Sequence, residues 1–307
     1  MKVSVVTPTY NRAGLLPATI DSILSQAGPE REYIIIDDGS SDNTRAVVTR
    51  YGDAVRYLFH ENRGEAASTN RGWQEAIGDY FAVVSSDDPM LPGWLERCVK
   101  ELDENPELVG VYPDWTVVND AGEQIGAMQT YEYSFASMVS WLWTIPGPGT
   151  IIRRSVLRDI VDLRNPSYRY ASDLESWLRI GLRGGFRRIP EYLASWRHHP
   201  TSITVADRSK RRAEEMIRLA RSFFRRSDLP CSIRVLENFA LSRAYWMAAL
   251  VVLETHPLLS KVYLTKSYRI SPDDPLNLPP ELARHPRPQV GDVVEVLKNW
   301  LAKPRRK

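Results

Sequence analysis

Two pairs of adjacent aspartates, Asp37-Asp38 and Asp87-Asp88, each follow a short run of β-branched or aromatic residues. Gly39-Ser40-Ser41-Asp42 follows the first pair, and Ser85-Ser86 precedes the second. A third polar segment, Thr7-Pro8-Thr9-Tyr10-Asn11-Arg12, follows the earliest such run, Val3–Val6. Adjacent carboxylates repel, so a cation or a donor-rich ligand is expected between the pairs. Oxygen ligands without thiolates favour a hard divalent ion, Mg2+ or Mn2+. Such an ion would bridge a diphosphate and absorb the charge released when its bond to another group breaks. A carboxylate beside a ring-shaped ligand can also accept an imide N–H, which uracil and thymine carry and sugars do not. These residue types suit a nucleoside diphosphate as a leaving group. Each aspartate taken singly has an ordinary alternative. Asp37 or Asp38 could cap a helix beginning near Asp42, and Asp87 or Asp88 one beginning after Pro92. Two pairs at equivalent strand ends favour the ligand reading. Neither phosphate-loop pattern, Gly-x-x-x-x-Gly-Lys or Gly-x-Gly-x-x-Gly after the first strand, is present.

The elements that must hold these residues are legible around them. Val3–Val6, Tyr33–Ile36, Val55–Phe59 and Tyr80–Val84 read as buried strands. Between them lie helical patterns: Leu16, Ile20, Ile23 and Leu24 on one face, a second beginning at Ala46, and a third over Ala66–Ile77. Alternating strand and helix predicts βαβ units and a mostly parallel, Rossmann-like sheet flanked by helices. Ligands then bind beyond the carboxyl ends of the strands, where the aspartates stand. Leu108–Tyr112 and Trp115–Val118 are expected as two further strands, with a turn at Asn119–Gly122. After 205 the periodicity is helical, with a second helix at Ser232–Thr255 and a last one near Val290–Ala302 beyond a Pro-rich loop.

The 307 residues carry a formal charge of only +2, which argues against a nucleic-acid binder. The total conceals two unlike parts. Residues 1–200 hold 20 Lys+Arg against 27 Asp+Glu, and residues 201–307 hold 20 against 11. Cys98 and Cys231 fit no disulfide framework or zinc spacing. The opening Met1-Lys2 leads directly into Val3–Val6, so no signal peptide is expected. The longest apolar run, Ala244–Leu253, is about half of the roughly 20 residues a membrane span requires. A cytoplasmic protein is expected, at most peripheral at the inner membrane face.

The ordered motifs resemble the family-2 inverting glycosyltransferases of the GT-A fold, from Val3 to about Thr204. Val3–Arg12 resembles the family's opening strand and base-binding loop, which implies Thr7, Pro8, Thr9, Tyr10 and Asn11 around the nucleoside. Ile35–Asp42 is similar to its second strand end, where the resemblance implies that Asp38 contacts uracil. Asn62-Arg63-Gly64 through Asn70-Arg71-Gly72 resembles the segment before the metal motif, placing Asn70 on the nucleotide side. Thr69 departs from the pattern, standing where many members carry a basic residue. Ser86-Asp87-Asp88 resembles the metal motif, with Asp88 as the direct ligand and Ser86 and Asp87 beside the nucleotide. Tyr170–Ile180 is similar to the helix bearing the general base. The family often has Glu-Asp there; Ser172-Asp173 keeps the second carboxylate and implies Asp173 as the base. The ordinary alternative for Asp173 is a helix cap, with Glu175 and Arg179 as a surface pair. Trp196-Arg197-His198-His199 resembles an aromatic-Arg-x-His element, which implies His199, or else His198, near the metal or diphosphate.

The resemblance implies a sugar transferred from a UDP- or dTDP-sugar to a hydroxyl of a glycan or lipid-linked acceptor, in cell-surface polysaccharide or glycoconjugate synthesis. Residues 1–204 would form the GT-A domain (1–105 binding nucleotide, 106–204 acceptor), and 205–307 a helical extension. Trp141, Trp143 and Trp177 could stack on sugar rings or belong to the core. The Arg-rich run at 207–226 reads either as a solvated face or as peripheral membrane contact, and the apolar helix at 232–255 as a homo-oligomer surface. A sugar-nucleotide-binding scaffold without turnover and a sugar nucleotidyltransferase are the competing readings. The latter should open on a Gly-rich basic loop, which is absent.

Overall fold

The computed structural model describes residues 2–198 and 207–271. The expected helix near Val290–Ala302 lies outside them. Strands β1 (Val3–Thr9), β2 (Arg31–Asp37), β3 (Arg56–Phe59) and β4 (Tyr80–Val83) alternate with helices α1 (Leu16–Leu24), α2 (Thr44–Thr49) and α3 (Glu65–Glu75). β1 pairs in parallel with β2 and with β4, and β2 with β3. The order β3-β2-β1-β4 therefore reverses direction at β1. The α3 helix packs directly on β1 at Gly72. A Cβ there would lie 2.2 Å from a Val6 methyl, so only hydrogen fits between helix and strand.

The second half follows α4 (Trp94–Glu104) with β5 (Gly110–Val118), β6 (Gln124–Met128), α5 (Phe135–Trp141), β7 (Ile151–Arg153), α6 (Ser172–Gly181) and β8 (Phe186–Arg197). β7 joins the two halves, antiparallel to both β4 and β5. β5 pairs with β8 in parallel and with β6 antiparallel. The runs 108–112 and 115–118, expected as two strands, form one. The register against β8 shifts after Pro113 and again after Asp114, where β8 carries the extra residues Pro190-Glu191 and Leu193. Pro190 cannot donate to the ladder, and β5 continues unbroken past the irregularity. This mixed sheet flanked by helices matches the expected fold class.

After residue 207 come α7 (Lys210–Phe224), α8 (Cys231–Arg234), α9 (Glu237–Val251) and α10 (Pro257–Ile270). The helix expected over 232–255 is thus broken between Arg234 and Glu237. One hydrophobic cluster includes Leu174, Leu178 and Phe186 from the sheet side, and Ile217, Phe223, Ala240 and Ala244 from these helices. Among the described residues no helix is long and apolar enough to cross a membrane.

Candidate active site

The carboxyl ends of β1, β2 and β4 share one edge of the sheet, at the point where strand order reverses. That reversal opens a crevice. The loops after β1 and β2 are joined to each other there. Asn11 adopts left-handed backbone, φ 52°, which asparagine tolerates better than most residues. Its side-chain oxygen accepts the N–H of Ser41 at 2.8 Å and of Asp42 at 3.3 Å, while its own N–H donates to Ser40 Oγ at 2.9 Å. Tyr10 is 49% exposed, leaving ring surface open to a stacked base. Pro8 is half-buried. Thr7 is fully buried and bonds to the Tyr33 hydroxyl at 3.0 Å, so its side chain supports the strand from within. Thr9 is buried, and its Oγ1 has no hydrogen-bond partner among the described residues.

Neither aspartate pair caps a helix. Asn43 occupies the cap position of α2 and Gly93 that of α4, without a side-chain cap bond in either case. Asp37 accepts the Ser40 N–H at 2.8 Å and the Tyr57 hydroxyl at 2.5 Å. Asp38 accepts the N–H of Arg63 at 2.7 Å and of Gly64 at 2.9 Å, one on each oxygen. It therefore anchors the loop leading into α3, and each oxygen keeps a further lone pair. His60 Nε2 lies 3.5 Å from Asp38 and 2.9 Å from Ser68 Oγ. Burial holds the His60 imidazole below its ordinary range, outweighing the pull of Asp38 and reinforced by Arg71 and Arg63.

Asp88 is buried. Desolvation, followed by the charge of Asp87, pushes its carboxyl up to about 7, against the Arg197 N–H, the Ser85 hydroxyl and the Arg197 charge. The Arg197 backbone N–H reaches Asp88 Oδ1 at 2.7 Å. Its Nε donates to the Asp87 carbonyl at 3.0 Å, and Nη1 to the Asn119 and Asp120 carbonyls at 2.6 and 3.0 Å. Arg197 thus ties the end of β8 and the turn after β5 to the aspartate pair. Arg12 Nε lies 3.8 Å from Asp87 Oδ2. Arg12 and Arg197 stand within sequence motifs, but nothing local pairs them with Asp87 and Asp88; the fold alone brings the two cations beside the two carboxylates. Ser86 is buried, and its carbonyl accepts the Thr19 hydroxyl at 3.1 Å. Among the described residues no three His, Cys, Asp or Glu side chains converge. His199 lies outside the described residues. The His198 N–H donates to the Val118 carbonyl at 2.9 Å, and its ring meets the Trp196 ring edge-on at 5.7 Å. A buried carboxyl whose proton affinity is raised by burial and by the adjacent Asp87 carboxylate offers the hard oxygen donors that suit a divalent cation, which would compete with the proton.

Asp173 lies in the first turn of α6, half-buried; Ala171 holds the cap position, and Asp173 Oδ1 accepts the adjacent Leu174 N–H at 2.7 Å. The Glu175–Arg179 pair forms at 2.8 Å. The segment before Asp173 is held from two sides. From α3, the Asn70 amide accepts the Arg164 N–H and donates to the Arg164 carbonyl, both at 2.7 Å. From α7, buried Glu215 Oε1 accepts the N–H of Tyr170 at 2.5 Å and of Ala171 at 2.9 Å. Arg218, one turn further along α7, donates to the Ser167 carbonyl at 2.6 Å. Nothing in the local sequence pairs residue 215 with residue 170, so Glu215 has no signal in the sequence. Trp177 packs edge-on against Phe186 and Trp141 lies over the buried Arg243 guanidinium, whereas Trp143 is exposed beside Tyr131.

The family model for glycosyl transferase family 2 matches residues 4–161, just over half of the chain. The chain belongs to glycosyl transferase family 2. An uncharacterized glycosyltransferase of Nostoc sp. is 29% identical over 212 residues, covering 65% of each chain. The chain spans 58–65% of the length of the first curated relatives it matches. In fold it is similar to S. aureus TarS 1-349, with a TM-score of 0.66 at 18% identity, covering 89% of this chain and 82% of the other. TarS has also been solved with UDP-GlcNAc. It is likewise similar to the mannosyltransferase PcManGT of Pyrobaculum calidifontis, solved with GDP-Man and Mn2+. There the TM-score is 0.60 at 19% identity, covering 98% and 81%. At such identities the likeness is one of fold, and this family-2 chain shares the GT-A architecture.

Proposed function

We propose that the chain is an inverting glycosyltransferase. It would move a sugar from a uridine or thymidine diphosphate donor to a hydroxyl of a glycan or lipid-linked acceptor. The observation that carries the reading is the single sheet edge on which the loops after β1, β2 and β4 meet, with Asp88 buried against Asp87. Solved neighbours of this fold bind UDP-GlcNAc in one case and GDP-Man with Mn2+ in the other.

In this reading the base stacks on exposed Tyr10, and the remaining lone pairs of Asp38 accept its imide N–H. Thr7, Pro8, Thr9 and Asn11 shape the loop around the nucleoside, Ser86 completes the wall, and Asn70 supports it by clasping residue 164. Asp88, with Asp87, would hold Mg2+ or Mn2+, which supplies positive charge to the departing diphosphate. His199 is kept as a further candidate ligand. The acceptor hydroxyl attacks the anomeric carbon from the face opposite the diphosphate. Asp173 takes its proton as the new C–O bond forms and the bond to the diphosphate breaks, inverting the centre. Glu215 and Arg218 hold the loop that presents Asp173, which gives the helices after 205 a structural part in the site.

The test is donor turnover, in a panel of nucleotide sugars with Mn2+, by the wild type and by Asp173→Asn. Losing one positioned base should lower turnover by about 10²–10⁴-fold while uridine diphosphate binding persists. Wild-type turnover by the folded variant would refute the assignment. Binding without turnover by the wild type would support the scaffold reading.

A further inference from the structure

Helix α10 packs on α9 through one face. Ser260, Tyr263 and Ser267 are buried. The Ser260 hydroxyl donates to the Ala249 carbonyl at 2.9 Å, the Ser242 and Ser267 hydroxyls meet at 3.0 Å, and the Tyr245 and Tyr263 rings lie 6.0 Å apart. At 3.6 residues per turn, the opposite arc carries Leu258, Lys261, Val262, Lys266, Tyr268 and Arg269. Leu258 is 77% exposed, Val262 47% and Tyr268 62%. From Pro257 to Ser271 the chain has three cations and no Asp or Glu.

We propose that this arc of α10 lies on an anionic lipid surface. Leu258 and Val262 would enter the boundary between headgroups and acyl chains, with Lys261, Lys266 and Arg269 against lipid phosphates. Tyr268, on the flank, suits the interface, with an apolar ring and a polar tip. The mixture of apolar and cationic side chains on one arc decides among occupants. An apolar protein surface would have to desolvate Lys261 and Arg269; Lys266 Nζ lies 5.5 Å from the Tyr245 ring centroid, at the edge of the arc. A second copy packed about a two-fold axis would bring the same three cations against their counterparts. An anionic bilayer satisfies both kinds of side chain. The Arg-rich α7 is the weaker candidate, because Arg212, Arg218 and Arg221 donate to the Asp207 carbonyl, the Ser167 carbonyl and the Tyr245 hydroxyl. The proposal stands independently of the catalytic reading.

The full chain should sediment with vesicles of phosphatidylcholine containing about one third phosphatidylglycerol, and less with phosphatidylcholine alone. Leu258→Asp combined with Val262→Asp should weaken this on the order of tenfold or more. Lys261→Gln, Lys266→Gln and Arg269→Gln together should do the same and remove most of the salt dependence. These positions face solvent, so unchanged thermal unfolding and gel-filtration volume should accompany each variant. The proposal is overturned if the wild type stays in the supernatant with both vesicles, or if the aspartate pair sediments like the wild type. It is equally overturned if the wild type is a dimer that the aspartate pair splits, which would make the arc a contact between copies.

Discussion

Removing the Glu215 carboxylate should loosen the loop that presents Asp173, although residue 215 lies on a helix outside the region matched by the family model. Glu215 is only 3% exposed, and a single oxygen accepts two backbone donors, at 2.5 and 2.9 Å. Bonds to a charged acceptor contribute about 1.5–3 kcal/mol each when buried. Tyr170 sits near the surface, where water can replace part of that loss. A total of about 2–4 kcal/mol for Glu215→Ala is therefore expected. At about 2 °C per kcal/mol for a chain of this size, thermal unfolding should fall by about 4–8 °C. Glu215→Gln keeps an oxygen in place and should recover more than half of the difference. Hydrogen exchange of the 165–175 amides reports the loop itself: protection should drop in Glu215→Ala and largely return in Glu215→Gln. Donor turnover should fall with it while uridine diphosphate affinity holds, because the loops after β1, β2 and β4 do not touch Glu215. Unchanged exchange at 170 and 171 in Glu215→Ala would refute the reasoning, whatever happened to turnover.

Arg197→Ala removes the bonds to the Asp87, Asn119 and Asp120 carbonyls and leaves the backbone bond to Asp88. Calorimetric titration should show Mn2+-dependent uridine diphosphate binding weakened on the order of tenfold, the equivalent of one charged hydrogen bond. Affinity equal to the wild type would remove Arg197 from the site. His60 is held below its ordinary imidazole range when folded, so the unfolded chain takes up its proton first as pH falls below about 6.5. Stability should decline from that pH until the folded imidazole also protonates, and His60→Gln should flatten this part of a pH–stability profile measured with denaturant. Gly72→Ala forces a methyl to 2.2 Å from Val6. Overpacking of this kind costs about 1–3 kcal/mol, and a thermal-unfolding midpoint within 1 °C of the wild type, against the roughly 2 °C or more expected, would show that α3 shifts freely on β1.

The nucleotide half was legible because each of its determinants is local. The β-branched runs set the strands, the apolar faces of 16–24 and 66–77 set the helices, and the polar residues follow directly where the strands stop. The resemblance singles out Asp38 and Asp88, but residue type alone does not divide the labour within each pair. By composition and local spacing Asp37 and Asp38 are equivalent neighbours. In the fold, Asp37 secures its own turn and Tyr57 while Asp38 reaches 25 and 26 residues along the chain to Arg63 and Gly64. Strand β6 leaves no sequence signal, because Gln124–Met128 is largely exposed at the sheet edge and lacks an alternating apolar pattern.

By itself the sequence determined the order of elements, the class of sheet and the residue types arriving at its edge, because periodicity and turn chemistry act over a few residues. Only the tertiary structure decided which of those residues carry a strained charge and which are mortar. Asp88 differs from Asp87 through burial, and burial depends on how β8 and the turn after β5 close over it. Asn70 and Glu215 show the same dependence from the other side. Each fixes a backbone segment far away in sequence, 94 and about 45 residues off, and no local pattern encodes a partner at such distances.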